Sequence, residues 1–139
     1  MEKGKGERTE ARTPVRDFKE LETWQVARKL RIAIYCATRN FPPDEKFGLA
    51  AQMRRAAVSI TANIAEGYGR FSYQENIQFC RQSRASAYEL RDHLTTAVDE
   101  SYFARDVYLE LESLAMQTIH LLNGYIRKTK LLQQEKEKR

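Results

Sequence analysis

The stretch Gln52–Arg70, QMRRAAVSITANIAEGYGR, decides the fold that the sequence predicts. At about 100° per residue it forms a helix with one broad apolar face. The members of that face are Leu49, Met53, Ala56, Ala57, Ile60 and Ile64. A second, smaller apolar patch lies roughly opposite and consists of Ala51, Val58, Ala62 and Ala65. Because a helix with two apolar sides has two surfaces to cover, the stretch predicts packing both within a subunit and between subunits.

A polar strip runs between these two patches. It consists of Gln52, Arg55, Ser59, Asn63 and Glu66. One interpretation is a hydrogen-bond network that sets the register between helices, with Arg54 or Arg55 paired to Glu66 or Glu89. The other is that the arginines face outward and contact phosphate. We expect Arg55 to be buried in such a pair and Arg54 to be exposed.

The whole chain has the size and composition of one cytoplasmic domain. Its 139 residues can bury a core without disulfide or metal support. No apolar run approaches the roughly 20 residues of a membrane span, and the N-terminus has no secretory apolar segment. Cys36 and Cys80 lie within helical patterns, so we expect reduced, buried thiols. The formal charge of +5 resides in the ends, residues 1–16 and 127–139, and leaves the body nearly neutral.

Periodicity and helix-ending residues predict four helices joined by short connections. Pro42 and Pro43 stop the first helix, Asp44 is placed to cap the second, and Gly67 is placed to end it in a left-handed conformation. Ser72 begins a capping box that opens the third. The predicted helices cover residues 17–40, about 45–66, 72–100 and 105–132.

This pattern is typical of an all-α, antiparallel up-down-up-down four-helix bundle. The predicted organisation is a disordered polar tail over 1–16, the bundle over 17–132 and a charged C-terminal tail over 133–139. The tail 1–16 is either a flexible end or an arm for nucleic acid. Trp24 lies on the apolar stripe of the first helix, either as a core anchor or as a platform for a base.

The sequence contains residue types that serve in catalysis and metal binding, but their spacing supports neither function. His93 and His120 lie on different helices without neighbouring ligands, and the chain has no Glu-x-x-His pair. Ser59 lies inside a helix rather than on a strained turn. We therefore expect no enzyme activity, no metal and no cofactor.

A basic stripe on the third helix is the other feature that suggests function. Arg81, Arg84 and Arg91 share a face with Tyr88, although a solvated helical face is the ordinary place for such residues. The predicted phosphate contacts, helped by the basic C-terminal end, are Arg54, Arg55, Arg70, Arg81, Arg84 and Arg91.

Several motifs, taken in order, resemble a known family. They are Trp24-Gln25-x-Ala27, Phe41-Pro42-x-x-Glu45, Gln52-Met53-Arg54-Arg55-Ala56-Ala57-Val58-Ser59-Ile60, Asn63-Ile64-Ala65-Glu66-Gly67-x-Gly69-Arg70 and Ser86-Ala87-Tyr88-Glu89-Leu90. Together they are similar to the four-helix bundle family of the large-subunit ribosomal RNA intervening-sequence protein. The resemblance covers about residues 17–126.

The resemblance implies a small bundle that assembles as a ring-like homopentamer and has a link to RNA. A more distant branch contains the accessory proteins of diversity-generating retroelements, which contact nucleic acid and a reverse transcriptase. Our leading hypothesis is a homo-oligomer that binds the backbone of RNA or DNA with low sequence specificity. The alternative is an adaptor or assembly module that recognises protein, with a reverse transcriptase as one such partner.

Overall fold

A computed structural model describes residues 15–138 of the chain. Within this range the protein is all-helical and has no strand. Its four α-helices are α1 (Glu22–Thr38), α2 (Leu49–Tyr68), α3 (Tyr73–Asp99) and α4 (Arg105–Glu137). Two single 3-10 turns, Phe18–Glu20 and Pro43–Glu45, precede α1 and α2.

Each helix packs against two others, so the four enclose one core. α2 lies between α1 and α3, and α4 lies between α3 and α1, while the two diagonal pairs make no close contact. Side-chain hydrogen bonds between helices join residues in inverse order along the chain. The pairs are Arg31 with Thr61, Arg54 with Thr38, Arg91 with Glu112, and Asn76 with Tyr125.

Small residues let α2 and α3 approach closely. The buried hydroxyl of Ser83 on α3 donates to the carbonyl oxygen of Ile60 on α2 at 2.8 Å. Gly67 on α2 lies so near α3 that an added Cβ would be 2.9 Å from the Cβ of Phe79. Gly67 is therefore required by packing, because it lies inside the helix and the cap at Gly69 has a right-handed φ of −79°. The predicted left-handed end at Gly67 is wrong.

The start of α1 also differs from the prediction. Leu21 is extended, with φ −71° and ψ 128°, and it separates the 3-10 turn from the helix. α1 therefore begins at Glu22 rather than at Asp17 or Phe18. Trp24 is partly buried against the core, and its ring meets Phe18 edge-on with centroids 5.4 Å apart.

The start of α2 is held by Glu45 rather than by Asp44. Residues Pro43–Glu45 form a 3-10 turn, and Gly48 is the residue that precedes the helix. The Glu45 carboxylate accepts a hydrogen bond from the amide of Leu49 at 2.8 Å and one from the hydroxyl of Tyr102 at 2.7 Å. One side chain thus caps α2 and ties it to the turn between α3 and α4.

The remaining boundaries agree better with the sequence. The Ser72 hydroxyl accepts from the amide of Glu75 at 3.1 Å, as expected of a capping box. Helix α4 begins at Arg105 as predicted but continues to Glu137, beyond the predicted end at Leu132. Residues 1–14 of the predicted N-terminal tail lie outside the described range.

The two cysteines differ in environment. Cys80 is buried and Cys36 is exposed, so the prediction of two buried thiols is wrong for Cys36. Burial raises the pKa of the Cys80 thiol to about 11, which keeps it protonated and unreactive at neutral pH.

Candidate nucleic-acid interface

The polar strip of α2 forms a network with α3. Arg55 pairs with the Glu89 carboxylate and also donates to the amide oxygen of Gln52 at 3.1 Å. The hydroxyls of Ser59 and Ser86 are 2.8 Å apart across the same seam. This arrangement matches the interpretation of the strip as a network between helices.

Arg54 and Arg55 have the reverse of their predicted environments. The side chain of Arg55 is 53% exposed although it is paired. Arg54 is half-buried between α1 and α2, where its Nε donates to the hydroxyl of Thr38 at 2.8 Å. Its guanidinium lies over the Tyr35 ring, 4.9 Å from the centroid. The prediction failed because Thr38 and Tyr35 lie on another helix.

Two of the predicted stripe residues on α3 are held by α4. The Arg84 guanidinium donates to the side-chain oxygen of Asn123 at 2.7 Å. Arg91 donates from Nε and Nη2 to one carboxylate oxygen of Glu112 at 3.0 and 2.8 Å. This hydrogen bonding to Glu112 raises the pKa of Arg91 above its ordinary value. Both side chains therefore join helices, and the charge of Arg91 is neutralised.

The other two predicted phosphate contacts are Arg70 and Arg81. Arg70, in the turn after α2, pairs with Glu66 at 3.0 Å and covers the Phe79 ring. Arg81 is exposed on α3, and its side chain has no hydrogen bond or ion pair with residues 15–138. The other five predicted arginines are each held by a side chain of the protein within this range.

A set of cations that shares only Arg54 with the predicted six lies on the outer side of α1 and α2. Residues 23–43 and 46–65 contain no Asp or Glu. We call this surface the basic α1/α2 face. Its cations are Arg28, Lys29, Arg31, Arg39 and Arg54, and its exposed apolar side chains are Ile32, Tyr35 and Val58.

None of the five cations of the basic α1/α2 face pairs with a carboxylate of residues 15–138. Two of them are instead oriented by neutral hydroxyls, since Arg31 donates to Thr61 at 3.0 Å and Arg54 donates to Thr38. A hydroxyl positions a guanidinium without neutralising it, so its charge remains available to an anion. The absence of acidic residues from 23–43 and 46–65 was the signal in the sequence that could have identified this face.

Residues 15–138 give little support to a metal site or to a membrane-spanning segment. Residues 15–138 contain no group of three or more His, Cys, Asp or Glu placed to hold a metal ion. Over the same range, no helix combines the length and apolarity needed to cross a bilayer. His93 is held by Glu89 at 3.0 Å, one turn away on the same helix.

The fold and the face describe a small four-helix protein with a basic surface. The chain matches the family described as 23S rRNA-intervening sequence protein over residues 19–124, and it belongs to that family. The predicted family resemblance is therefore confirmed.

A solved structure has the same fold. It is the crystal structure of a protein with unknown function from the S23 ribosomal protein family from Bacteroides thetaiotaomicron, with a TM-score of 0.68 and 21% identity. The alignment covers 75% of this chain and 97% of that chain. No curated protein matches the sequence.

Proposed function

We propose that the protein is a non-enzymatic, homo-oligomeric bundle that binds the backbone of RNA or DNA through the basic α1/α2 face. Binding has little sequence specificity and takes place in the cytoplasm. The observation that carries the proposal is a surface of five cations without a carboxylate partner among the described residues. Membership of a family named for ribosomal RNA supports it.

Phosphate is the anion that best suits this face. Nucleic acid presents closely spaced phosphates, and each one neutralised by Lys or Arg releases condensed counterions. The side chains of Arg31 and Arg54 are already oriented by Thr61 and Thr38, which reduces the entropy lost when they bind. Contacts to phosphate carry no sequence information directly, so we expect weak sequence preference.

The bundle is antiparallel, up-down-up-down, and assembles as a ring-like homopentamer. The inverse order of the hydrogen-bonded pairs between neighbouring helices supports the antiparallel arrangement. Exposed apolar side chains on α4, Leu109 at 52% and Met116 at 44%, supply surface for contact between subunits. A ring would present several copies of the basic α1/α2 face, and multivalency would raise the avidity of weak phosphate contacts.

The test is a comparison of two variants with the same change in charge. Arg28→Glu with Arg39→Glu reverses two exposed cations of the basic α1/α2 face, whereas Arg81→Glu with Arg127→Glu reverses two exposed cations on α3 and α4. Binding to a fluorescent structured RNA is measured by anisotropy at about 50 mM salt, where phosphate contacts are strong. We expect the first variant to lose roughly tenfold or more in affinity, and the second to lose much less. Equal losses, or no binding by the wild type, would refute the proposal.

The second candidate function is an adaptor or assembly module that recognises protein, such as a reverse transcriptase. Phe71 at 105% and Phe47 at 86% exposure favour it, because such exposed aromatic side chains often mark contact sites. Phe71→Ser with Phe47→Ser should then abolish capture of a partner by a nucleic-acid-free preparation. Capture that is unchanged by these substitutions would count against this candidate.

A further inference from the structure

Exposed apolar side chains alternate with cations on the basic α1/α2 face. Along α1, Arg28, Ile32, Tyr35 and Arg39 have the spacing i, i+4, i+7 and i+11, which places them in one stripe on the helix. Ile32 is 53% exposed and Tyr35 is 36% exposed. The stripe thus has a cation at each end and apolar surface between them.

Val58 extends the apolar surface onto α2. It lies one turn after Arg54, which stacks on Tyr35, and one turn before Thr61, which accepts from Arg31. These two bridges between α1 and α2 therefore flank Val58, whose side chain is 41% exposed. A groove of about 660 Å³ lies beside the stripe, and Trp24, Arg28 and Ile32 are among its lining residues.

A duplex does not account for these apolar side chains. The outside of a duplex presents phosphates and sugars, with the faces of its bases stacked inside. Unpaired bases expose apolar faces that stack on aromatic and apolar side chains, while the cations between them follow the backbone. Arg28 over Trp24 at 5.9 Å and Arg54 over Tyr35 at 4.9 Å are formed cation–aromatic pairs of the kind used in such surfaces.

We propose that the basic α1/α2 face selects single-stranded RNA over duplex, with bases against Ile32, Tyr35 and Val58 and phosphates on the surrounding arginines. This inference rests on the proposed function and narrows its ligand. The ligand expected in the cell is RNA, because cellular RNA commonly presents unpaired bases in loops and ends.

A second groove, of about 720 Å³, suits this ligand less well. It lies where the start of α1 meets the second half of α4, and its lining includes Glu20 and Glu22 as well as Arg70 and Lys128. The two carboxylates offset the two cations, so the groove has no excess positive charge to attract phosphate. The basic α1/α2 face has no such carboxylate.

The experiment compares three probes with the same number of phosphates: oligouridine, a fully paired RNA duplex and oligothymidine. Ile32→Ser with Val58→Ser removes apolar surface from the face, and Leu132→Ser removes a side chain from α4 whose exposure, 41%, equals that of Val58. Affinities are measured for the full-length wild type and for both variants. Circular dichroism verifies that the helices are retained.

We expect the wild type to bind oligouridine about tenfold more tightly than the duplex, and oligothymidine about as tightly as oligouridine, because base faces stack whether the sugar is ribose or deoxyribose. The double variant should lose about fivefold or more in affinity for oligouridine and nothing for the duplex, and Leu132→Ser should change neither. Equal binding of oligouridine and duplex, or a preference that survives the double substitution, would overturn this inference and leave the proposed function standing. Oligothymidine that binds as weakly as the duplex would overturn the placement of bases against these side chains. No binding of any probe would overturn both.

Discussion

Gly67 offers a direct test of the packing between α2 and α3. In Gly67→Ala the new Cβ would be 2.9 Å from the Cβ of Phe79 and 3.1 Å from the backbone oxygen of Asn76. Neither atom is the far end of a flexible side chain, so the two helices must separate. Such overpacking costs about 1–3 kcal/mol, and the better helix propensity of Ala returns about 1 kcal/mol. We expect a net destabilisation of about 0–2 kcal/mol.

Gly124→Ala is the matched control within α4. Its Cβ would meet only the Arg127 guanidinium, at 3.7 Å, so the propensity gain should remain and stabilise the protein by about 0.5–1 kcal/mol.

Urea unfolding at one fixed protein concentration measures both variants, because association would make stability depend on concentration. If Gly67→Ala were as stable as Gly124→Ala, the close approach of α2 and α3 would be wrong, and the reason for a glycine at this position would have to be sought elsewhere.

Three further predictions concern the thiols, the α2 cap and assembly. A chromogenic disulfide reagent near neutral pH should label Cys36 in the native protein and Cys80 only after denaturation, because burial protects Cys80; two thiols labelled at once would contradict its burial. Hydrogen bonds from the Leu49 amide and the Tyr102 hydroxyl lower the pKa of Glu45 from its ordinary 4.5. Their stabilisation should be complete above that pH and be lost as the pH falls through the lowered pKa. Glu45→Gln should therefore show a shallower acid dependence of its melting temperature than the wild type, and identical acid profiles would count against the cap. Light scattering should give a mass near five subunits of 16.2 kDa, and a stable monomer would refute the assembly.

The helices could be predicted from the sequence because their signals are local. Apolar spacing marked all four, and Ser72 marked the start of α3 by a contact within three residues. The start of α2 could not be predicted in this way. The carboxylate that caps it belongs to Glu45 and is supported by Tyr102, which is distant in sequence. Nothing near Asp44 in the sequence indicates that Glu45 rather than Asp44 is the cap.

The candidate site was harder to predict because the partner of a charged side chain lies on another helix. Arg84 and Arg91 share a face of α3 in any helical projection, but only the packing of α4 places Asn123 and Glu112 against them. The same difficulty reversed the environments of Arg54 and Arg55. Composition carried the better signal, since residues 23–43 and 46–65 contain cations but no Asp or Glu and lie on two neighbouring helices.

The salt dependence of RNA binding tests the central claim most directly, since it reports how many phosphates the basic α1/α2 face neutralises. Affinities for one RNA are measured from about 50 to 200 mM salt. In a plot of log affinity against log salt concentration, each phosphate that the protein neutralises steepens the slope by about 0.7–0.9. Arg28→Ala with Arg39→Ala should make the slope shallower by about 1.4–1.8, whereas Arg81→Ala with Arg127→Ala should leave it close to that of the wild type. A slope unchanged in the first variant, or reduced equally in both, would contradict the assignment of nucleic-acid binding to this face.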